Sequence, residues 1–126
     1  MKFGVFGVVL ISIVSFLGCY QTERNCSQFH TGTFEFQSYI NGELVTTQFE
    51  RSDSLEIDHF RGKSDTSSIR WVNDCEFIVK AIHPKNRAEQ KPIHMRILST
   101  DGDTYEFEYG LVGSTKKQKG TAKKIH

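Results

Sequence analysis

Residues 31–51 read "TGTFEFQSYINGELVTTQFER", and the fold turns on how they are read. Phe34 and Phe36 alternate with Glu35 and Gln37, the two-residue period of a strand with one face buried. Asn41-Gly42 then supplies two residues that tolerate positive φ, as a two-residue hairpin turn requires. With that loop length Phe34 lies opposite Phe49 and Ser38 opposite Val45, so the two strands share a face. The stretch is a β-hairpin.

The same period runs through the rest of the chain. "SLEIDHF" (54–60) alternates Leu55, Ile57 and His59 against Glu56, Asp58 and Phe60, and "RGKSD" forms the next turn. "SSIRWVNDCEFIVKAI" (67–82) gives one strand through Ile69, Trp71 and Val72, a tight Asn73-Asp74 turn, and a second strand rich in β-branched and aromatic residues. "HPKNRAEQKP" (83–92) is a polar connection in which Asn86 can cap a single turn, too short for a packed helix. In "IHMRILSTDGDTYEFEYGLV" (93–112), a two-residue Asp101-Gly102 loop would oppose Ile97 to Glu106. A three-residue loop, Thr100-Asp101-Gly102, pairs Ile97 with Tyr105, Met95 with Phe107 and Arg96 with Glu106, and predicts a glycine bulge at the turn. "KGTAKKI" closes the chain with Gly120 and Ala122 on one face and Lys119 and Lys123 on the other. The outcome is an all-β domain over residues 31–126, an up-and-down antiparallel meander of about eight strands. Eight strands can close into a small barrel that fills itself or holds one ligand; a two-layer sandwich is the alternative.

Ahead of the domain, "MKFGVFGVVLISIVSFLGC" holds fifteen uncharged residues from Phe3 to Leu17. As a helix these would span about 22 Å, short of a hydrocarbon core of roughly 30 Å. Lys2 before the run and Gly18 before Cys19 fit a secretory signal peptide, residues 1–18. "FLGC" resembles the bacterial lipobox, with Phe16 where leucine is usual. The resemblance implies that the Cys19 thiol takes diacylglycerol and becomes the mature N-terminus, an anchor of two or three acyl tails. Tyr20 follows it, not the aspartate that retains lipoproteins in the inner membrane. The expected address is therefore the outer membrane, facing the periplasm, with residues 19–30 as a polar tether.

Lipid on Cys19 leaves Cys26 and Cys75 of the three cysteines. Export puts them where disulfides persist, and closing a loop of about 50 residues would stabilise by roughly 4 kcal/mol. Two unpaired thiols are the alternative. The chain's 16 basic and 15 acidic side chains give no reason to expect nucleic acid as a partner. Charge is nonetheless uneven, since "KKQKGTAKK" places Lys116, Lys117, Lys119, Lys123 and Lys124 together. They either meet anionic head groups or blunt an exposed or late-pairing strand against aggregation.

Candidate chemistry is sparse. No G-x-S-x-G, glycine-rich phosphate loop or cysteine–histidine pair at a helix start is present. The five histidines lack metal-ligand spacing, Cys26 with His30 being a lone half-motif. The acids, Glu56 and Asp58 included, alternate with apolar residues and are assigned to solvent faces. No catalysis, metal or cofactor is expected. Trp71 either stacks with Arg70 at a pocket mouth or plugs the core while Arg70 snorkels or pairs with Glu76. A binding module would hold a small apolar or amphipathic ligand among Phe34, Phe36, Trp71, Met95, Phe107 and Tyr109, with Arg70 at its head group. The rival is a filled-core interaction or assembly subunit of an envelope complex, working through its outer face or the 83–92 loop.

Two resemblances follow from these residues. The opening "TGTF" and the short glycine-bearing final strand are similar to the lipocalin and fatty-acid-binding-protein superfamily, with Phe34 where tryptophan is usual; this implies a ligand-holding barrel. Residues 26–125, above all "RWVNDCEF" and "HPKN", resemble a family of small exported proteins of Bacteroidetes-type bacteria whose members often carry a DNA topoisomerase IV label. A topoisomerase subunit needs an ATPase fold or a tyrosine-bearing cleavage domain. The resemblance therefore implies an exported lipoprotein and transfers no active-site residue.

Overall fold

A computed structural model describes residues 24–126; the leader, Cys19 and the start of the expected tether lie outside the described residues. One turn of 3-10 helix, Cys26–Phe29, precedes eight strands: β1 (Gly32–Ile40), β2 (Glu43–Arg51), β3 (Leu55–Phe60), β4 (Lys63–Asn73), β5 (Glu76–Ala81), β6 (Ile93–Asp101), β7 (Thr104–Leu111) and β8 (Gln118–Lys124). Each pairs antiparallel with its sequence neighbours, and β8 returns to β1 through Phe34 opposite Lys124 and Phe36 opposite Ala122. The sheet is a closed up-and-down barrel, which excludes the sandwich. β8 pairs with β7 over residues 118–123 but with β1 only over 122–124, so Lys123 lies in the doubly paired stretch and Lys119 in the part without a β1 partner.

The first hairpin has the register its sequence dictates, Phe34 opposite Phe49 and Ser38 opposite Val45. Asn41 and Gly42 take φ of 51° and 79°, and Arg61 and Gly62 repeat the arrangement at 49° and 76°. Both turns therefore twist with their strands. Two other hairpins differ from expectation. The β4–β5 turn is Asp74-Cys75, with Asn73 opposite Glu76 and a bulge beside it at residue 72. Here the Asn73 side chain accepts from the Cys75 N–H at 2.9 Å and shapes the turn itself. In the last hairpin Met95 lies opposite Tyr109, Ile97 opposite Phe107 and Arg96 opposite Glu108. The loop is Gly102-Asp103, and the extra residue sits at Leu98 inside β6 rather than at the turn. The expected pairs are thus displaced by two residues. Inward faces survive because a two-residue slip preserves the pleat.

The faces of β3 are the reverse of the expectation. Pairing with β2 sets Glu56 opposite Arg51 and Asp58 opposite Phe49, and Phe49 already points inward across from Phe34. Glu56, Asp58 and Phe60 therefore face the interior, while Leu55 is 40% exposed. His59 turns outward to Ser64, 2.8 Å away.

One end of the barrel is closed. Of the segment expected as a tether, residues 26–30 form a plug: Phe29 is fully buried against Tyr105 and Phe34, with ring centroids 4.8 and 6.4 Å away. Cys26 is bridged to Cys75. Gln28 Nε2 donates to the Gly102 carbonyl, Lys124 Nζ to the Gln28 carbonyl, and the Asn25 N–H to Thr100 Oγ1, at 2.7, 2.7 and 2.8 Å. His30 stacks on Trp71 at 3.7 Å, and its Nε2 meets the Asp74 carbonyl at 2.8 Å. A four-residue turn cannot hold itself together, so its order depends on these ties. Replacing both Cys26 and Cys75 with alanine should cost about 4 kcal/mol on the chain-entropy model for this loop. Urea unfolding of the double variant checks this, and an unchanged midpoint would show that the plug does not depend on the bridge.

Candidate functional site: a chamber above a buried ion pair

Alternation along each strand brings two layers of side chains into the barrel. The lower layer, against the plug, is ring-rich: Phe34, Phe77 and Tyr105 are all but fully buried, and Ile97 packs with them. Toward the other end the inward residues become smaller or more flexible, including Ser38, Thr47, Val79 and Met95. There the interior opens into a chamber of about 480 Å³ whose apolar wall includes Phe36, Phe60, Met95, Phe107 and Tyr109. Gly120 matters to that wall: a Cβ there would come within 2.7 Å of the Phe107 ring and 3.1 Å of Phe36. Its absence lets these rings pack edge to face, 5.9 Å apart.

Arg51 lies at the floor, its side chain 1% exposed. Its Nε and Nη2 donate to Glu56 Oε1 at 3.2 and 3.0 Å, Nη1 donates to the Phe29 carbonyl at 2.8 Å, and Nη2 also reaches Tyr105 Oη at 3.2 Å. Phe77 and Phe34 present their rings to the guanidinium at 4.7 and 4.9 Å, adding cation–π attraction. Burial works against the charge, but the Tyr105 and Glu56 oxygens outweigh it and hold Arg51 above its ordinary range. Burial raises the Tyr105 hydroxyl as well, against the pull of Arg51, so it remains a neutral phenol. The floor is a closed, neutralised network.

Asp58 stands on the chamber wall beside it. Burial first, and then the Glu56 charge, push its carboxyl up to about 7; Arg51 pulls the other way, and Asp65, directly across on β4, adds to the rise. No hydrogen bond from the described residues reaches this carboxyl. Near neutral pH it therefore exchanges a proton with little bias. Among the described residues no group of three or more His, Cys, Asp or Glu could hold a metal ion.

The structure distributes the expected ligand residues unevenly. Phe36, Met95, Phe107 and Tyr109 line the chamber together, and Phe34 is packed beneath it. Trp71 lies at the plugged end between His30 and Phe77, 4.5 Å from the latter ring. Arg70 is exposed on the outer surface, off the chamber wall, and forms no ion pair with Glu76, whose carboxylate instead meets His94 at 3.1 Å and Arg96 at 3.7 Å. Arg51, Glu56 and Asp58 went unrecognised as interior residues in the sequence. The signal was available: two residues past Phe49, the pleat returns Arg51 to the inner face, and an acid waits on the far side of the short "SDSL" turn.

The sequence matches no protein-family model, and no curated protein or solved structure is significantly similar to it.

Two substitutions test the site. Glu56→Gln leaves Arg51 buried without its counter-charge and should cost roughly 3–5 kcal/mol in chemical denaturation; a loss below about 1 kcal/mol would mean that the pair is solvated. Asp58 behaves in the opposite sense. Its folded pKa lies above the unfolded value, so ionisation favours the unfolded chain as pH climbs from about 4 to about 7. Asp58→Asn should match the parent near pH 4 and exceed it by a growing margin, at most about 4 kcal/mol, by pH 8. Urea titrations at pH 4, 6 and 8 measure this, and a difference independent of pH would contradict it.

Proposed function

We propose that this protein is a non-catalytic binding module of the bacterial cell envelope, tied to a membrane by lipid on Cys19 and carrying a small apolar or amphipathic ligand in its barrel. The observation that carries this reading is the chamber. Its volume of about 480 Å³ lies within the usual range for small-molecule sites, roughly 300–1,000 Å³. Its walls combine aromatic and aliphatic surface with a single unengaged carboxyl, the composition expected of a pocket that binds by burial and orients with few polar groups. A hollow upper barrel also weighs against a filled-core interaction subunit.

The address is supported by the leader's layout, by the resemblance to exported lipoproteins and by a cystine, which is at home in an oxidising compartment. The seven residues from Cys19 to Asn25 can reach at most about 24 Å, and they lead to the plugged end. An anchor there keeps the plug nearest the membrane and the mouth turned away from it, in the periplasm if the anchor is in the outer membrane.

Native mass spectrometry of residues 24–126, which lack the proposed lipid-bearing Cys19, purified without detergent should show a non-covalent adduct of lipid mass. Met95→Trp, which fills the chamber with a larger ring, should remove that adduct while the melting temperature moves by only a few degrees. An adduct that persists in the Met95→Trp variant would place any ligand elsewhere.

A further inference from the structure

Three cavities share Ile93 as a wall. They are the chamber, a cleft of about 580 Å³ along β4 and the 82–92 connection that includes Lys85 and Lys91, and a smaller one of about 220 Å³ that includes Lys116 and Gln118. Two clefts that carry lysines thus border the chamber at Ile93. The connections at this end, 41–42, 61–62, 82–92 and 112–117, hold Arg61, Lys85, Arg87, Lys91, Lys116 and Lys117 against one acid, Glu89. Those at the plugged end, 52–54, 74–75 and 102–103, hold three aspartates and no cation. The barrel is electrically polar along its axis, and its opening is the positive end.

The floor has the opposite character. Four contacts already occupy the Arg51 guanidinium, and Glu56 cancels its charge. An anionic ligand group lowered to the floor would meet the Glu56 carboxylate, while the Arg51 donors that could receive it are already engaged. At the mouth, Lys85 is engaged with Asp65 at 3.7 Å, whereas the ammonium groups of Lys91 and Lys116 have no acidic partner among the described residues.

We propose that the chamber takes a single-tailed amphiphile tail first and leaves an anionic head group, carboxylate or phosphate, at the mouth against Lys91 and Lys116. The inference rests on the ligand-carrying reading above and adds the ligand's orientation and charge. The tail gains contact with Phe36, Met95, Phe107 and Tyr109 and loses water. The head stays in the hydrated rim, so it avoids the desolvation that burial beside Glu56 would impose. Its attraction to the lysines acts at high dielectric and is screened by salt.

Residues 24–126 contain the whole closed barrel with its own core, so calorimetry can use them without the leader. Decanoate, decyl phosphate, decanol and decylamine are titrated at pH 6 and low salt. The two anions should bind about tenfold or more tightly than decylamine. K91E/K116E, its fold checked by circular dichroism, should lose that margin and keep the parent's affinity for decanol. Comparing the two anions shows which head group is preferred. Decylamine binding as tightly as decanoate, or a double variant that binds decanoate like the parent, overturns the orientation while the ligand-carrying reading stands. Failure of all four to bind overturns both.

Discussion

A guanidinium inside an eight-stranded barrel must be neutralised or the barrel does not form, and the arrangement of this protein follows from that constraint. Arg51 reaches the interior because β2 alternates and Phe49 faces in. Its charge, stripped of water, calls for an acid within hydrogen-bonding distance. Glu56, the first inward residue of β3 and the register partner of Arg51, provides it. That contact sets which face of β3 is inside, and so brings Asp58 and Phe60 into the chamber while Leu55 turns to solvent. The remaining donors of Arg51 bind the Phe29 carbonyl and the Tyr105 hydroxyl, which ties the plug to the floor. One buried cation thus couples β2, β3, β7 and the N-terminal turn.

Much of this was legible in the sequence because two-residue periodicity and turn chemistry are local. "INGE" dictates a hairpin with a definite register, and eight strands with short connections leave little choice but a meander. Where local signals conflict with long-range ones, the reading fails. In "SLEIDHF" hydrophobicity alone puts Leu55 and Ile57 inside; the counter-signal, the Arg51 charge, lies across a turn and matters only once pairing is known. The last hairpin shows a second limit. Placing the extra residue in the Gly102 turn and placing it at Leu98 within β6 both keep Met95, Ile97, Tyr105 and Phe107 inward. Face matching could not separate them. Phe29 shows a third: an aromatic residue in a polar, aperiodic segment carries no periodic signal, and the bridge that ties its turn down joins cysteines 49 residues apart in sequence.

Eight-stranded barrels can fill themselves or stay hollow enough for a ligand, and this one is packed at one end and hollow at the other. Rings at the plugged end interlock around Arg51, so the well-packed contacts and the covalent tie are concentrated there. Toward the mouth, Ser38, Thr47 and Val79 leave space that Phe36 and Phe107 border without filling, helped by the missing side chain at Gly120. Changes at the floor therefore bear on folding, whereas changes near the rim bear mainly on the space the chamber leaves open. This separation allows an interior to be hollow without leaving the domain short of a core.

Asp58 stands at the boundary between the two halves, and its chemistry links them. Asp58 is only partly shielded from solvent, which moderates the cost of ionisation; even so, burial and the neighbouring Glu56 charge hold its pKa near 7. Hydrocarbon in the chamber would displace that solvent and further disfavour the carboxylate. A protonated carboxyl is in turn the better neighbour for a hydrocarbon chain. Linkage makes the two effects equal: whatever free energy occupancy adds to protonation of Asp58, protonation adds to occupancy. On the proposed ligand-carrying reading, the unengaged Asp58 carboxyl would thereby tie how firmly the barrel holds an apolar chain to the acidity of its surroundings.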